Sequence, residues 1–179
     1  KVKRRTAYRR RHTRCATKNL NCEIAAMRLW LLRHGEAQPY ASSDAQRPLT
    51  ARGRAQVLLA AEQLRGRPLQ HILVSPYVRA QQTAEIVREA IGFAGDLQTV
   101  PWLTPDDDPR DVLAQLGPFE GRDLLLVTHQ PLVGALAGWL IHGHRQQPLP
   151  MHTASLAELE GEFLAAGGFD QLALVHQDH

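Results

Sequence analysis

Three short apolar runs constrain this chain more than any other feature. They are Leu29–Leu32 ("LWLL"), His71–Val74 ("HILV") and the stretch from Asp123 to Thr128 ("DLLLVT"). Each ends abruptly in polar residues, and each is followed by a segment with helical spacing. Brief apolar runs of this kind read as strands buried on both faces, and such strands need helices to cover them.

The segments between supply those helices. Thr50 is a good N-cap, and Val57, Leu58, Ala61 and Leu64 form one apolar face before Gly66. Ser75-Pro76 reads as an N-cap with proline at the first helical position. Thr83, Ile86, Val87, Ala90 and Ile91 then follow at helical spacing, ending near Gly92. Leu97–Val100 is expected to be a third strand. Asp108-Pro109 opens a short helix through Leu116, and a further helix begins near Pro131 and carries Leu132, Val133, Leu136, Ala137, Leu140 and Ile141. Thr153–Leu159 and Gln171–Val175 alternate apolar and polar, predicting two later strands joined through Gly167-Gly168. This order predicts an α/β fold: a three-layer α/β/α sandwich around a mostly parallel central sheet.

Charge divides the chain in two. Residues 1–26 hold nine Lys/Arg and one acid, Glu23, whereas residues 27–179 hold 12 Arg, no Lys and 17 acids. Both cysteines, Cys15 and Cys22, also lie in the first segment. We therefore read 1–26 as a basic tail and 27–179 as one domain. The tail reads as a disordered or non-native extension preceding a start at Met27. Two alternatives are a targeting peptide and a basic arm for nucleic acid or an acidic partner. Without cysteine, the body has neither a disulfide framework nor a thiolate metal site, which makes the cytoplasm the default location. No apolar run approaches the roughly 18 residues of a membrane span, so no membrane partner is expected.

The candidate site follows from the strand ends, where ligands of parallel α/β sheets collect. Arg33 and His34 end the first strand. Ser75-Pro76 ends the second, with Arg79 in the next helical turn. His129 ends "DLLLVT". Taken singly, each arginine also reads as a surface charge and each histidine as a structural hydrogen-bonder. Together, two guanidiniums, two imidazoles and helix N-termini make an anion site, and phosphate fits the forked arginines best. In such a site a neutral imidazole can attack phosphorus. A neighbouring cation keeps it unprotonated, and the arginines stabilise charge on the transferring group.

"LRHGEA", "SPYVRAQQTAE" and "VTHQPLVG" resemble, in order, three signature segments of the histidine phosphatase superfamily. Within it the likeness is to the small SixA-type phosphohistidine phosphatases, to which "DAQRPLTARG" and "LTPDDD" are also similar. The resemblance spans Met27 to about His176 and omits the tail. It implies a phosphoglycerate mutase-like fold and a phosphoric monoester hydrolase acting without metal or organic cofactor. It also implies His34 as the phosphorylated nucleophile, with Arg33, Arg79 and His129 around the phosphate. Gly35 is expected to let the backbone turn close to that phosphate.

Larger members of the family carry a helical cap and a glutamate general acid. Here about 30 residues separate Gly92 from Asp123, so no large cap insertion is expected, and Val100–Pro105 contains no glutamate. Asp44 and Glu36 are the candidate acids; Asp108 reads as an N-cap. Imidazole, whose conjugate acid has a pKa near ~6.5, leaves with little help. That favours phosphohistidine on a protein as substrate. A small sugar or nucleoside phosphate is the alternative. A non-catalytic module binding phosphoprotein or nucleic acid is a third reading, although nucleic acid is not the expected partner. His142, His144 and Arg145 read as cations at a helix C-terminus, and metal binding at His176 and His179 is not expected.

Overall fold

The computed structural model describes residues 26–177. The basic segment, apart from Ala26, and His179 lie outside the described residues. The element order is β1 (Met27–Arg33), α1 (Ala51–Glu62), β2 (His71–Val74), α2 (Val78–Ile91), β3 (Leu97–Thr99), α3 (Pro109–Gln115), β4 (Leu124–Thr128), α4 (Leu132–His142), β5 (Leu156–Gly161) and β6 (Phe169–Val175). Short 3-10 turns occupy Asp44–Gln46 and Gly117–Phe119.

The sheet runs β3-β2-β4-β1-β5-β6. β3, β2, β4 and β1 pair in parallel, while β5 and β6 add antiparallel strands on one side. The chain moves outward from β1 to β2 and β3, then returns to lay β4 beside β1. Right-handed crossovers in opposite directions cover opposite faces of the sheet. The two apolar cores have this arrangement. Leu29, Leu31, Leu124 and Leu126 meet Val112 of α3 and Val133, Leu136 and Leu140 of α4 on one face. Trp30, Leu32, Leu125 and Val127 meet Val57, Ala60 and Ala61 of α1 and Ala80, Ala84 and Val87 of α2 on the other. Strand periodicity assigns successive residues to alternate cores. Each large apolar side chain withdrawn from water contributes about 1.5–3 kcal/mol. The expected three-layer, mostly parallel sandwich is the observed architecture. Only β3, α3 and the second 3-10 turn lie between α2 and β4, so no large cap stands over the sheet.

Several local expectations are corrected. The buried stripe of α1 is Gly53, Gln56, Val57, Ala60 and Ala61, continuing to Leu64, while Leu58 is 51% exposed. Gly53 sets that rotation because its Cα abuts the backbone of Glu36 just past β1. α2 begins at Val78 behind Tyr77, so Ser75 is not its N-cap. β5 begins at Leu156 rather than Thr153 because Ala154, at φ 56°, and a Ser155 N–H bond to the His152 carbonyl turn the chain first. By contrast, the Thr50 hydroxyl accepts from Gly53 N–H at 2.9 Å, and Asp108 caps α3 by accepting from Arg110 N–H at 2.8 Å. Arg145 pairs with Asp108 across the α3–α4 layer, a more specific role than complementing a helix dipole. Among the described residues, no helix is long and apolar enough to cross a membrane.

Candidate active site

β1 and β4 are adjacent and parallel, yet the helices that follow them lie on opposite faces, which opens a crevice beyond their ends. The ladder pairs Arg33 with Thr128, and His34 N–H continues it by donating to the Thr128 carbonyl at 3.0 Å. His34 and His129 therefore leave neighbouring strand ends side by side. Their ring centroids are 5.0 Å apart. Arg79 enters from the first turn of α2, and its Nε donates to His34 Nε2 at 3.2 Å. His34, Arg79 and His129 are 6%, 3% and 1% exposed.

The hydrogen bonds determine the state of His34. Its Nδ1 lies 2.7 Å from the Gly35 carbonyl. A carbonyl only accepts, so the proton sits on Nδ1 and the Nε2 lone pair is presented to the pocket. Burial, and then the charges of Arg79 and Arg33, lower the pKa of His34 to about 3, against an opposing Gly35 hydrogen bond. Neighbouring cations were the expected cause, but desolvation is the larger one. Burial also takes His129 down to about 2, helped by His34 and Arg79. Both rings are neutral at neutral pH.

Arg33 is half-buried, and its Nη1 donates to the Met151 carbonyl at 2.9 Å. Burial first, and the Arg79 charge second, push its proton affinity down, so the two guanidiniums share one pocket. Arg33 Nε and His129 Nδ1 are buried without a hydrogen-bond partner. Buried polar atoms are rarely left so, and the oxygens of a tetrahedral oxyanion fit this donor set. Among the described residues, no group of three or more His, Cys, Asp or Glu is placed to hold a metal ion.

The two candidate acids separate. Asp44 reaches the site: its carboxylate accepts from Arg79 Nη2 at 3.1 Å and from Arg47 at 2.8 Å. Although partial burial opposes it, these two arginines hold the carboxyl below its usual range. A general acid needs the opposite shift; in this structure Asp44 stands as an anionic partner of Arg79. Glu36 turns away. It accepts from the Thr50 hydroxyl at 2.9 Å and pairs with Arg52, which ties it to the start of α1. Neither is placed as a proton donor.

Gly35 is small for a reason the sequence did not reveal. A Cβ there would stand 2.8 Å from Val57 Cγ2 and collide with the Gly53 carbonyl. The close approach in the structure is therefore that of α1, while the Gly35 N–H donates to Thr83 Oγ1 of α2 at 3.2 Å. Sequence reading also missed Ser75, whose hydroxyl is 2.6 Å from His129 Nε2. The only signal was a serine at a strand end, and that was read as a cap. His176 lies outside the pocket, with Nδ1 2.6 Å from Ser155 Oγ and its ring stacked on His152.

The chain as a whole is similar to known proteins. Residues 29–104 match the Histidine phosphatase superfamily (branch 1). The chain is 36% identical over 134 residues to the phosphohistidine phosphatase SixA of Escherichia coli K12, covering 72% of this chain and 81% of that protein. It is 35% identical over 145 residues to a SixA homolog of Haemophilus influenzae, covering 74% and 87%. A solved structure of the protein histidine phosphatase SixA complexed with tungstate superposes with a TM-score of 0.76 at 31% identity, covering 84% of this chain and 97% of that one.

Proposed function

This chain belongs to the histidine phosphatase superfamily, and from that premise we propose that it is a phosphohistidine phosphatase working through a covalent intermediate on His34. The observation that carries the mechanism is the orientation of His34: Nδ1–H is tied to the Gly35 carbonyl, which leaves Nε2 as the unprotonated nitrogen, accepting from Arg79 Nε beside His129.

In the first step His34 Nε2 attacks phosphorus. The P–N bond of the substrate phosphohistidine breaks, and its ring, protonated on the other nitrogen, leaves as neutral imidazole with the electron pair. In the second step water attacks the phosphorus of phospho-His34, one of its protons staying on the product phosphate and the other passing to phosphate or solvent. That P–N bond breaks, inorganic phosphate leaves, and Nε2 regains its lone pair. Arg33 and Arg79 hold the equatorial oxygens as charge spreads over them, and His129 donates a hydrogen bond to one of them. A group that departs as imidazole needs little proton help. That matches a pocket in which Asp44 is an arginine-bound carboxylate and Glu36 is held by the Thr50 hydroxyl at the start of α1. The uncapped mouth admits a histidine carried on a folded protein. A cytoplasmic setting and a part in phosphohistidine signalling are the corresponding expectations.

The test is one panel: a phosphohistidine protein, p-nitrophenyl phosphate and common sugar phosphates, each assayed with chelator present, for the full chain and His34→Ala. Metal-independent turnover that disappears in His34→Ala and prefers phosphohistidine is the expected result. Turnover surviving that substitution, or requiring a divalent metal, overturns the mechanism. A preference of orders of magnitude for a sugar phosphate replaces the substrate assignment with a small phosphomonoester.

A further inference from the structure

Ser75 and His129 come from different strand ends, β2 and β4, and both are buried, at 0% and 1% exposed. Their side chains meet at 2.6 Å, Ser75 Oγ to His129 Nε2. A hydroxyl can donate or accept, and a neutral imidazole has one nitrogen of each kind, so the distance alone leaves the direction open. The surroundings decide it. Tyr77 N–H already donates to Ser75 Oγ at 3.3 Å, occupying one of its lone pairs. The hydroxyl proton must then go to an acceptor, and among the described residues the one within reach is His129 Nε2. If Nε2 carried the proton instead, the buried hydroxyl hydrogen would be stranded. His129 Nδ1, which has no partner within the protein, would then turn a lone pair toward the oxygens of a bound phosphoryl group. That arrangement strands one group and sets another against the substrate, and each such loss is costly in a buried site.

We propose that Ser75 is a positioning residue. Its hydroxyl donates to His129 Nε2, holds the ring as the Nδ1–H tautomer, and so makes Nδ1–H the hydrogen-bond donor to the phosphoryl oxygens of the substrate. The inference rests on the phosphatase reading of the pocket. It gives both histidines the same tautomer through different partners: the Gly35 carbonyl takes the Nδ1 proton of His34, while the Ser75 proton fills the Nε2 lone pair of His129. The result is one ring with an unprotonated nitrogen for attack and one with an N–H for charge. The Tyr77 ring packs against His129 in a tilted, edge-type contact with centroids 4.9 Å apart.

The test is a nitrogen–proton correlation spectrum of the full chain labelled with 15N in its histidine rings, at neutral pH, with and without tungstate as the oxyanion probe. The expected result is a His129 whose Nε2 resonates as an unprotonated nitrogen and whose Nδ1–H shifts when tungstate binds. Ser75→Ala should lose the single tautomer and lower kcat/KM for p-nitrophenyl phosphate by about 10–100-fold. Ser75→Thr, which keeps the hydroxyl, should recover most of both. An Nε2–H ring in the unsubstituted protein overturns the proposal, and that spectrum decides even if Ser75→Ala does not fold. A folded Ser75→Ala with unchanged tautomer and unchanged kcat/KM overturns it equally. Failure of the phosphatase reading looks different: no substrate turns over, whatever tautomer is found.

Discussion

His34 and Asp44 sit on the same guanidinium from opposite sides, and the balance between them sets two predictions at the scale of single residues. Arg79 gives Nε to His34, and Nη1 and Nη2 to the carbonyl and carboxylate of Asp44. Replacing Arg79 by Ala removes the donor beside the attacking nitrogen and should lower kcat by about 10²–10³-fold, the usual effect of losing one oriented transition-state donor. Steady-state kinetics on p-nitrophenyl phosphate measure it. Asp44→Asn acts the other way. Its carboxylate competes with a substrate anion for Arg79, so the amide should bind inorganic phosphate several-fold more tightly, read as a lower product-inhibition constant. If Asp44 were instead a proton donor, the same substitution would leave phosphate binding alone and selectively slow esters with poor leaving groups.

At the scale of elements, the crossing of β1 by the start of α1 is what places His34. Gly35 and Gly53 meet backbone to backbone, and the Thr50 cap and Glu36 knit the same junction. Gly35→Ala should cost about 1–3 kcal/mol, as overpacking of a close contact does. Thr50→Ala should cost about 1 kcal/mol, from the lost cap together with the hydroxyl's bond to Glu36. Urea unfolding at neutral pH separates them, and equal midpoints for Gly35→Ala and the parent chain would contradict the packing argument. Helix starts marked by Thr50 and by Asp108-Pro109 were readable in the sequence because a capping side chain acts within three residues of itself. The start of α2 was not, because the Ser75 hydroxyl turns toward His129, a partner 54 residues away. The buried stripe of α1 was misjudged at Leu58 for a similar reason: the contact of Gly53 with the Glu36 backbone past β1 decided the helix rotation.

For the whole molecule, two buried neutral imidazoles impose a pH dependence on folding. His34 and His129 fall from an ordinary 6.5 to about 3 and about 2 in the native state. Between those values and 6.5 the unfolded chain binds protons that the native chain does not, so stability drops as pH falls through that window and is flat above it. At about 1.4 kcal/mol per pH unit for each group, moving from pH 6.5 to 5 should remove about 2 kcal/mol per histidine. Urea midpoints at the two pH values measure this, and His129→Asn should remove about half the dependence. Stability unchanged by acid would show that the rings are hydrated or paired. The amino-acid sequence by itself determined the alternation of buried strands and covering helices, the split between basic tail and acidic body, and the residue types at three strand ends. Those are local matters of periodicity, capping and composition. Only the tertiary structure decided that β4 returns beside β1, which brings His129 to within a ring's width of His34. It also turned Asp44 from a candidate acid into an arginine-bound carboxylate and Ser75 from a cap into the partner of a histidine. Chain topology and desolvation set those outcomes, and both arise between residues far apart in sequence.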